Sequence, residues 1–483
     1  MMSLPGLAGL PGLNSATLTE LTAAATAISR TKDLSANTEL RFEVSFSQTL
    51  TVKLVTGTAE LFGTELGPSS TYTFRGTKAA IYTWHGCKIE LTGEVDSEYV
   101  AEESQMMSYA NAHFALEELR DRAAATKSAD GGPRVLVVGP ENSGKTSLVR
   151  VLTSYAVKMG RRPLVVNLDP RQGMLGVPGS FTAAAFSSIL DIEEGWGSSP
   201  ISGPSPTPVK NPLVYHYGLE NPEEGKVFRP LVTRMALAVT SRLEEDADSK
   251  TTGFVVDAPG AISNGKGGVY ENIEHIVSEF SINILFTLGS ERLYSDLLRK
   301  YSSRDPSDPV HIIRLDKSGG AVTRDESYMK ALRQSQIKAY FFGLPGDTAL
   351  NPHSHMADFD DLNIFRVVDV TSTTPSTFHS GDEHDTFFNP SNPTSTNASN
   401  ASSIYEKVTP SSLMQNSLLA ISTAGPNERH EVIRDASIRG YIYVADVDEG
   451  RKKVRLLSPQ AGQTPGTALL LGRFPEDVAG LVS

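Results

Sequence analysis

The run Gly139-Pro140-Glu141-Asn142-Ser143-Gly144-Lys145-Thr146 fits the pattern G-x-x-x-x-G-K-[ST] at every fixed position, between an apolar stretch, Val135–Val138, and a helical periodicity. Successive backbone N–H groups in such a loop turn inward as a nest for an anion, and the N-terminus of the following helix adds partial positive charge. Gly139 and Gly144 permit that backbone path; Lys145 is placed to reach β- and γ-phosphate oxygens, and the Thr146 hydroxyl to ligate a bridging Mg²⁺. The chemistry is the holding of a nucleoside triphosphate. A glycine-rich turn of purely structural use does not require strand, spacing, lysine and hydroxyl to agree.

Whether the phosphate is also transferred depends on other residues, first of all the acids that close apolar runs. Asp257 ends VVDAPG, a D-x-x-G that a GTPase would use to sense the γ-phosphate. No N-K-x-D guanine-reading motif accompanies it, and Leu315-Asp316-Lys317-Ser318 has the wrong order, so a GTPase is disfavoured. Asp169 ends VVNLD about one helix and one strand beyond the phosphate loop, at the carboxyl edge where such folds bind ligands. There it is expected beside the metal and the γ-phosphate, holding Mg²⁺ through water or accepting a proton from an incoming hydroxyl; capping the next turn is the alternative.

The elements that must position these groups are strands apolar throughout, VLVVG, PLVVNLD, GFVVDAPG, NILFTLG and HIIRLD, alternating with helical segments. That pattern predicts an α/β domain over 132–343 with a parallel sheet buried on both faces. Ahead of it, short alternating runs such as LRFEVSF, LTVKLVTG and KIELTG predict a small β-sandwich or barrel over 33–131, including a helix with apolar Tyr109, Phe114, Leu116 and Leu119. A C-terminal domain of mixed or β character over 344–483 contains GYIYVADV and KVRLLS. Segments 198–210 and 375–404, rich in Pro, Ser, Thr and Asn, read as loops without structure of their own, and 1–32 as an extension lacking the basic start of a signal peptide. GRKKVR at 450–455 reads as an exposed turn entering a strand in preference to a nuclear-import patch. A length of 483 residues accommodates three domains, a net charge of −12 gives no global basic field for nucleic acid, and the single Cys87 fits cytosol or nucleus. No apolar run approaches a membrane span.

Strings carrying a wider likeness are TELRFEV (38–44), TAELFGTEL (58–66), TYTFRGTK (71–78), YTWHGC (82–87), PRVLVVGPENSGKTS (133–147), GRRPLVVNLDPRQG (160–173), PLVYHYG (212–218), SERLYSDL (290–297) and DKSGGAVTR (316–324). Across almost its whole length the chain thus resembles the eukaryotic polynucleotide 5′-hydroxyl kinase family, which includes the kinase-like subunit of the pre-mRNA cleavage and polyadenylation machinery. The resemblance implies a β-sandwich, a phosphate-loop kinase domain and a small C-terminal domain that together bind ATP and Mg²⁺. It implies Glu39 and Lys78 at the adenine end, Asn142, Ser143, Gly144, Lys145, Thr146 and Ser147 on the phosphates, Thr146 and Asp169 at the metal, and Asp169 as base in an active enzyme. The partners it implies are the scaffold subunit that binds the RNA polymerase II tail and other 3′-end processing subunits in the nucleus, with pre-mRNA contacted indirectly and no membrane.

The chain departs from the active members in three places. Their D-x-G-Q string reads Asp169-Pro170-Arg171-Gln172, a bulky cation replacing glycine near the substrate. Their base-stacking tryptophan falls at Ala261, which forgoes roughly 1–3 kcal/mol of stacking. In their arginine lid, Arg324 and Arg333 match, but the pair between them is Met329-Lys330. Phosphoryl transfer rests on positioning and charge neutralisation, so ATP is expected to be held as a structural ligand and not spent. The competing expectation is an active ATP-dependent RNA 5′-hydroxyl kinase using Lys145, Thr146, Asp169 and Arg324.

Overall fold

The computed structural model describes residues 29–126, 131–193, 212–222, 226–265, 268–302, 309–343, 349–368, 404–462 and 466–482. The segment 198–210 and, apart from Ile404, the segment 375–404 lie outside the described residues, as do 1–28. Contact density separates two compact units, 1–104 and 105–483.

The N-terminal unit consists of β1 (Ser29–Leu34), β2 (Thr38–Val44), β3 (Leu50–Gly57), β4 (Glu60–Leu61), β5 (Thr64–Glu65), β6 (Thr71–Phe74), β7 (Thr77–Thr83), β8 (Cys87–Gly93) and β9 (Ser97–Ala101). They form a sheet ordered β1-β8-β3-β6 and a second ordered β5-β4-β7-β2-β9. Alternation puts Leu40, Phe42 and Val44 of one sheet and Leu50, Val52, Ile89 and Leu91 of the other into one core, with Phe42 and Phe74 rings 5.2 Å apart. The extension expected to reach residue 32 is shorter. Ser29–Lys32 already belong to β1, whose backbone pairs antiparallel with β8 although its side chains are mostly polar.

The larger unit opens with helix α1 (Met106–Thr126), followed by β10 (Arg134–Val138), α2 (Lys145–Lys158), β11 (Leu164–Asn167), β12 (Ser180–Ala185) and β13 (Leu213–His216). Then come α3 (Phe228–Glu245), α4 (Ala247–Thr252), β14 (Phe254–Asp257), α5 (Glu271–Glu279), β15 (Ile284–Leu288), α6 (Glu291–Tyr301), β16 (His311–Leu315) and α7 (Glu326–Phe342). The five apolar runs form the parallel part of one sheet, in the order β11-β14-β10-β15-β16. Contrary to the expectation of a wholly parallel sheet, β12 and β13 extend it antiparallel beyond β11. Side chains cap two of the helices that flank the site: Ser290 Oγ accepts from Leu293 N at the head of α6, and Asp325 Oδ1 from Tyr328 N at the head of α7.

The rest is a mostly antiparallel seven-stranded sheet, β17 (His353–Asp358), β18 (Asn363–Val367), β19 (Tyr405–Val408), β20 (Leu418–Ser422), β21 (Ile438–Asp448), β22 (Lys453–Ser458) and β23 (Ala468–Leu471), with the short helix α8 (His430–Asp435). Residues 449–452 form the turn between β21 and β22, so GRKKVR is a hairpin turn entering a strand. One face of this sheet, through Phe365, Val367, Tyr441, Tyr443 and Leu470, shares a continuous core with Val166, Phe181, Tyr217 and Phe341 of the phosphate-loop part. Among the described residues no helix is long and apolar enough to cross a membrane.

Candidate functional site

The phosphate loop runs from the end of β10 into α2. A Cβ at Gly139 would stand 2.5 Å from the Leu288 carbonyl oxygen, so β15 leaves room for hydrogen alone. Gly144 has φ 90° and ψ 16°, in the left-handed region, where a side chain would be strained. Asn142 also takes positive φ, 56°, and its Oδ1 accepts from Arg324 N at 3.3 Å. No side chain caps α2, so the N–H groups of its first turn, including that of half-buried Ser147, are directed into the loop. Buried Ser143 donates to the Pro140 carbonyl at 2.8 Å, which fixes the loop's bend, and Lys145 Nζ donates to the same oxygen at 2.9 Å. Burial lowers the Lys145 pKa, and the nearby Arg324 guanidinium adds to this, while the Asp257 and Asp169 carboxylates oppose it.

The two strand-end acids have different hydrogen-bond partners. Thr146 Oγ1 donates to Asp257 Oδ2 at 2.6 Å, and Asp257 Oδ1 is buried with no hydrogen-bond partner. Burial, helped by the Asp169 charge, pushes the Asp257 carboxyl up to about 7 against the pull of Lys145, the Thr146 hydroxyl and Arg324. Asp169 is instead bound up in its own turn. Its Oδ1 accepts from Arg171 N at 3.1 Å and its Oδ2 from Gln172 Nε2 at 2.8 Å, with its own N–H on Asn167 Oδ1. Thr146 and Asp169, expected together at the metal, are therefore not brought into hydrogen-bond contact, and the hydroxyl's carboxylate is Asp257. The strand order explains this: β14 lies between β11 and β10, so its terminal acid is nearer the loop. An unpaired buried carboxylate oxygen beside a threonine hydroxyl at a phosphate loop fits Mg²⁺, which takes one or two protein oxygens plus waters and phosphate.

Arg171 does not lie free in the site. Its Nη1 is 2.8 Å from Glu141 in the phosphate loop, its Nη2 3.0 Å from Glu326 at the head of α7, and its Nε 3.4 Å from Glu220. Arg324 reaches Gln172 Oε1 with both terminal nitrogens, at 3.4 and 3.3 Å. Arg333, expected with it in the lid, points elsewhere. It is buried, donates to Glu476 Oε2 at 2.9 Å and to Glu326 Oε1 at 2.6 Å, and lies over the Phe474 ring. Met329 is buried and Lys330 exposed. Ala261 is half-buried in the turn Gly260–Ser263, whose Ser263 hydroxyl accepts from Gly139 N at 3.1 Å.

Within the N-terminal unit, Glu39 is buried and accepts from Arg41 Nε at 2.6 Å and Ser104 Oγ at 2.7 Å; Lys78 pairs with Glu43 at 2.7 Å.

Three family profiles match the chain: an N-terminal beta-sandwich domain of polyadenylation factor over residues 33–123, an mRNA cleavage and polyadenylation factor CLP1 P-loop over 139–343, and a pre-mRNA cleavage complex II protein Clp1 over 350–476. The mRNA cleavage and polyadenylation factor CLP1 of Phaeosphaeria nodorum is 65% identical over 482 residues, covering 100% of both chains. That of Botryotinia fuckeliana is 49% identical over 478 residues, covering 98% of this chain and 99% of its own. A solved Clp1p–Pcf11p complex superposes with a TM-score of 0.80 at 28% identity, over 93% of this chain and 98% of that one. A second structure, concerned with the Pcf11p–Clp1p interface and with ATP loss in a glycine-to-arginine mutant, gives 0.79 at 28% identity, over 93% and 99%.

Proposed function

The chain belongs to the Clp1 family of mRNA cleavage and polyadenylation factors, and from that premise we propose that it is a nuclear, ATP-holding subunit of the pre-mRNA 3′-end processing machinery that does not transfer the phosphate. The observation that carries the second half is Arg171. Where active kinases of the wider family keep glycine, this chain has a guanidinium pinned between Glu141, Glu220 and Glu326 across the face an acceptor hydroxyl would use. Ala261 offers no aromatic face for a terminal base, and Arg333 is committed to Glu476.

The nucleotide's phosphates would be held by the N–H groups of Asn142, Ser143, Gly144, Lys145, Thr146 and Ser147 and by the Lys145 ammonium. Mg²⁺ would be held by Thr146, with Asp257 behind it and Asp169 contributing field. Glu39 and Lys78 are proposed at the adenine end. When bound, Mg·ATP supplies a fixed charge and a structural ligand; the chain's residues orient it and exclude an acceptor. ATP in a related site is supported by the neighbour in which a single mutation causes ATP loss. A Pcf11-type scaffold subunit, of the kind that also binds the RNA polymerase II tail, is the proposed partner.

The test combines two measurements on purified protein: nucleotide released on denaturation, and transfer of labelled γ-phosphate from ATP to a 5′-hydroxyl oligoribonucleotide. Stoichiometric ATP with no transfer is expected. Robust transfer would make the chain an RNA kinase with Asp169 as its base, and an empty protein indifferent to millimolar ATP would end the ATP-holding reading.

A further inference from the structure

A chain of alternating charge runs from the phosphate loop to the segment that follows the last strand of the C-terminal sheet. Glu141 meets Arg171 at 2.8 Å, Arg171 meets Glu326 Oε2 at 3.0 Å, Glu326 Oε1 meets Arg333 at 2.6 Å, and Arg333 Nε meets Glu476 Oε2 at 2.9 Å. The Arg333 side chain is 1% exposed, with its guanidinium 5.2 Å from the centre of the Phe474 ring. The backbone around it is tied down as well, since Arg473 N and Phe474 N both donate to the Gly218 carbonyl.

The pairs of Arg171 are half-exposed, Glu141, Glu220 and Glu326 being 50%, 44% and 63% accessible, so each alone is worth little. Their consequence is geometric. Three carboxylates converge on one guanidinium between the phosphate loop and the first turn of α7, and without it they repel. Glu326 is shared by both arginines, and it directly follows the loop that carries Arg324 onto Asn142 and Gln172. A displacement of Glu476 would therefore reach, through Arg333 and Glu326, the segment that bears Arg324, whose charge acts at Lys145 and Asp257.

We propose that this ionic chain couples the C-terminal segment to nucleotide retention, with Arg171, Glu326, Arg333 and Glu476 as positioning residues that hold α7 and Arg324 against the phosphate loop. The coupling rests on the ATP-holding reading above. It requires no contact between Glu476 and the nucleotide.

The experiment uses the full chain loaded with a fluorescent methylanthraniloyl-ATP and chased with excess ATP, while amide exchange is followed over residues 324–333. Glu476→Gln is expected to release the nucleotide about 10-fold faster, equivalent to about 1.4 kcal/mol, and to speed exchange at the start of α7. Arg333→Lys, which keeps the charge but not the two-donor fork, shifts both in the same direction. Glu449→Gln, an equal charge change in the β21–β22 hairpin, leaves both unchanged. Combining Glu141→Gln with Glu476→Gln gives a release rate well below the product of the single effects, because both loosen one chain. If the unmodified protein holds the fluorescent nucleotide and Glu476→Gln changes release and exchange by less than about two-fold, the coupling is wrong and the ATP-holding reading survives. If the unmodified protein binds no nucleotide, both fall.

Discussion

Asp257→Asn separates the charge of the buried acid from its shape. In the folded protein burial holds this carboxyl at about 7, whereas an unfolded aspartate titrates near 3.9. Between those values the folded state carries a proton that the unfolded state has lost, so stability falls as pH rises, by about 1.4 kcal/mol per pH unit and about 4 kcal/mol in all by pH 8. Asparagine keeps an oxygen for the Thr146 hydroxyl and has no charge to bury. Lys145 loses one of its three carboxylate neighbours in the exchange, which offsets part of the gain. Thermal unfolding of nucleotide-stripped protein should therefore show a midpoint that drops from pH 5 to 8 in the parent and a flatter profile in Asp257→Asn, with the variant relatively most favoured at pH 8. Titration with Mg·ATP at pH 7 in buffers of different ionisation enthalpy should show about half a proton more released by the parent than by the variant. Parallel pH profiles with equal proton release would refute the assignment of Asp257 as the buried carboxylate behind the metal.

Gly144→Ala meets only Ala321 Cβ at 3.5 Å, so its cost is the left-handed backbone alone, about 1–2 kcal/mol, and is expected as a lower melting midpoint together with loss of retained nucleotide. Glu117→Ala removes the carboxylate from Arg120, which is 2% exposed and would keep only the Thr252 carbonyl, so a loss of about 3–5 kcal/mol should appear as a lowered midpoint that Arg120→Met in the same protein largely recovers. Met329→Arg would place a cation at a buried position of α7, so it should lower the melting midpoint and give no phosphate transfer, alone or with Ala261→Trp.

The phosphate loop was legible because its chemistry is contiguous: every residue of the nest lies within eight positions, and the strand and helix around it are strongly patterned. The five parallel strands were legible for a related reason, since all but the edge strand β16 are buried on both faces and read as unbroken apolar runs. Features set by neighbours in space were not legible. The sequence presents Asp169 and Asp257 as equivalent strand-end acids, and only the order β11-β14-β10 puts Asp257 on Thr146. Small residues in SFTAAA gave no signal for β12, and the polar side chains of SRTKDL hid β1, which is held by backbone pairing with β8. The ion pair of Arg333 with Glu476 was not legible, because the two are more than a hundred residues apart and each is unremarkable in its own stretch.

The closure of the larger unit by Arg473–Val478 also sets an order of events during synthesis. The sandwich strands are complete by residue 101, while the site made by β10, α2 and β14 waits for groups encoded near the other end. Arg333 acquires its Glu476 partner, Gly218 its two donors from Arg473 and Phe474, and the Val478 carbonyl its donor from Tyr443 only when that segment has left the ribosome. At 5–20 residues per second, the stretch between Arg333 and Glu476 takes roughly 7–30 s to make. Throughout that interval a nascent chain carries a phosphate loop already translated and an Arg333 that has Glu326 beside it but not yet Glu476. Chaperones that shield exposed apolar surface would have the apolar groups that later pack in the shared core to act on, Phe341 among them, until the strands of the C-terminal sheet arrive.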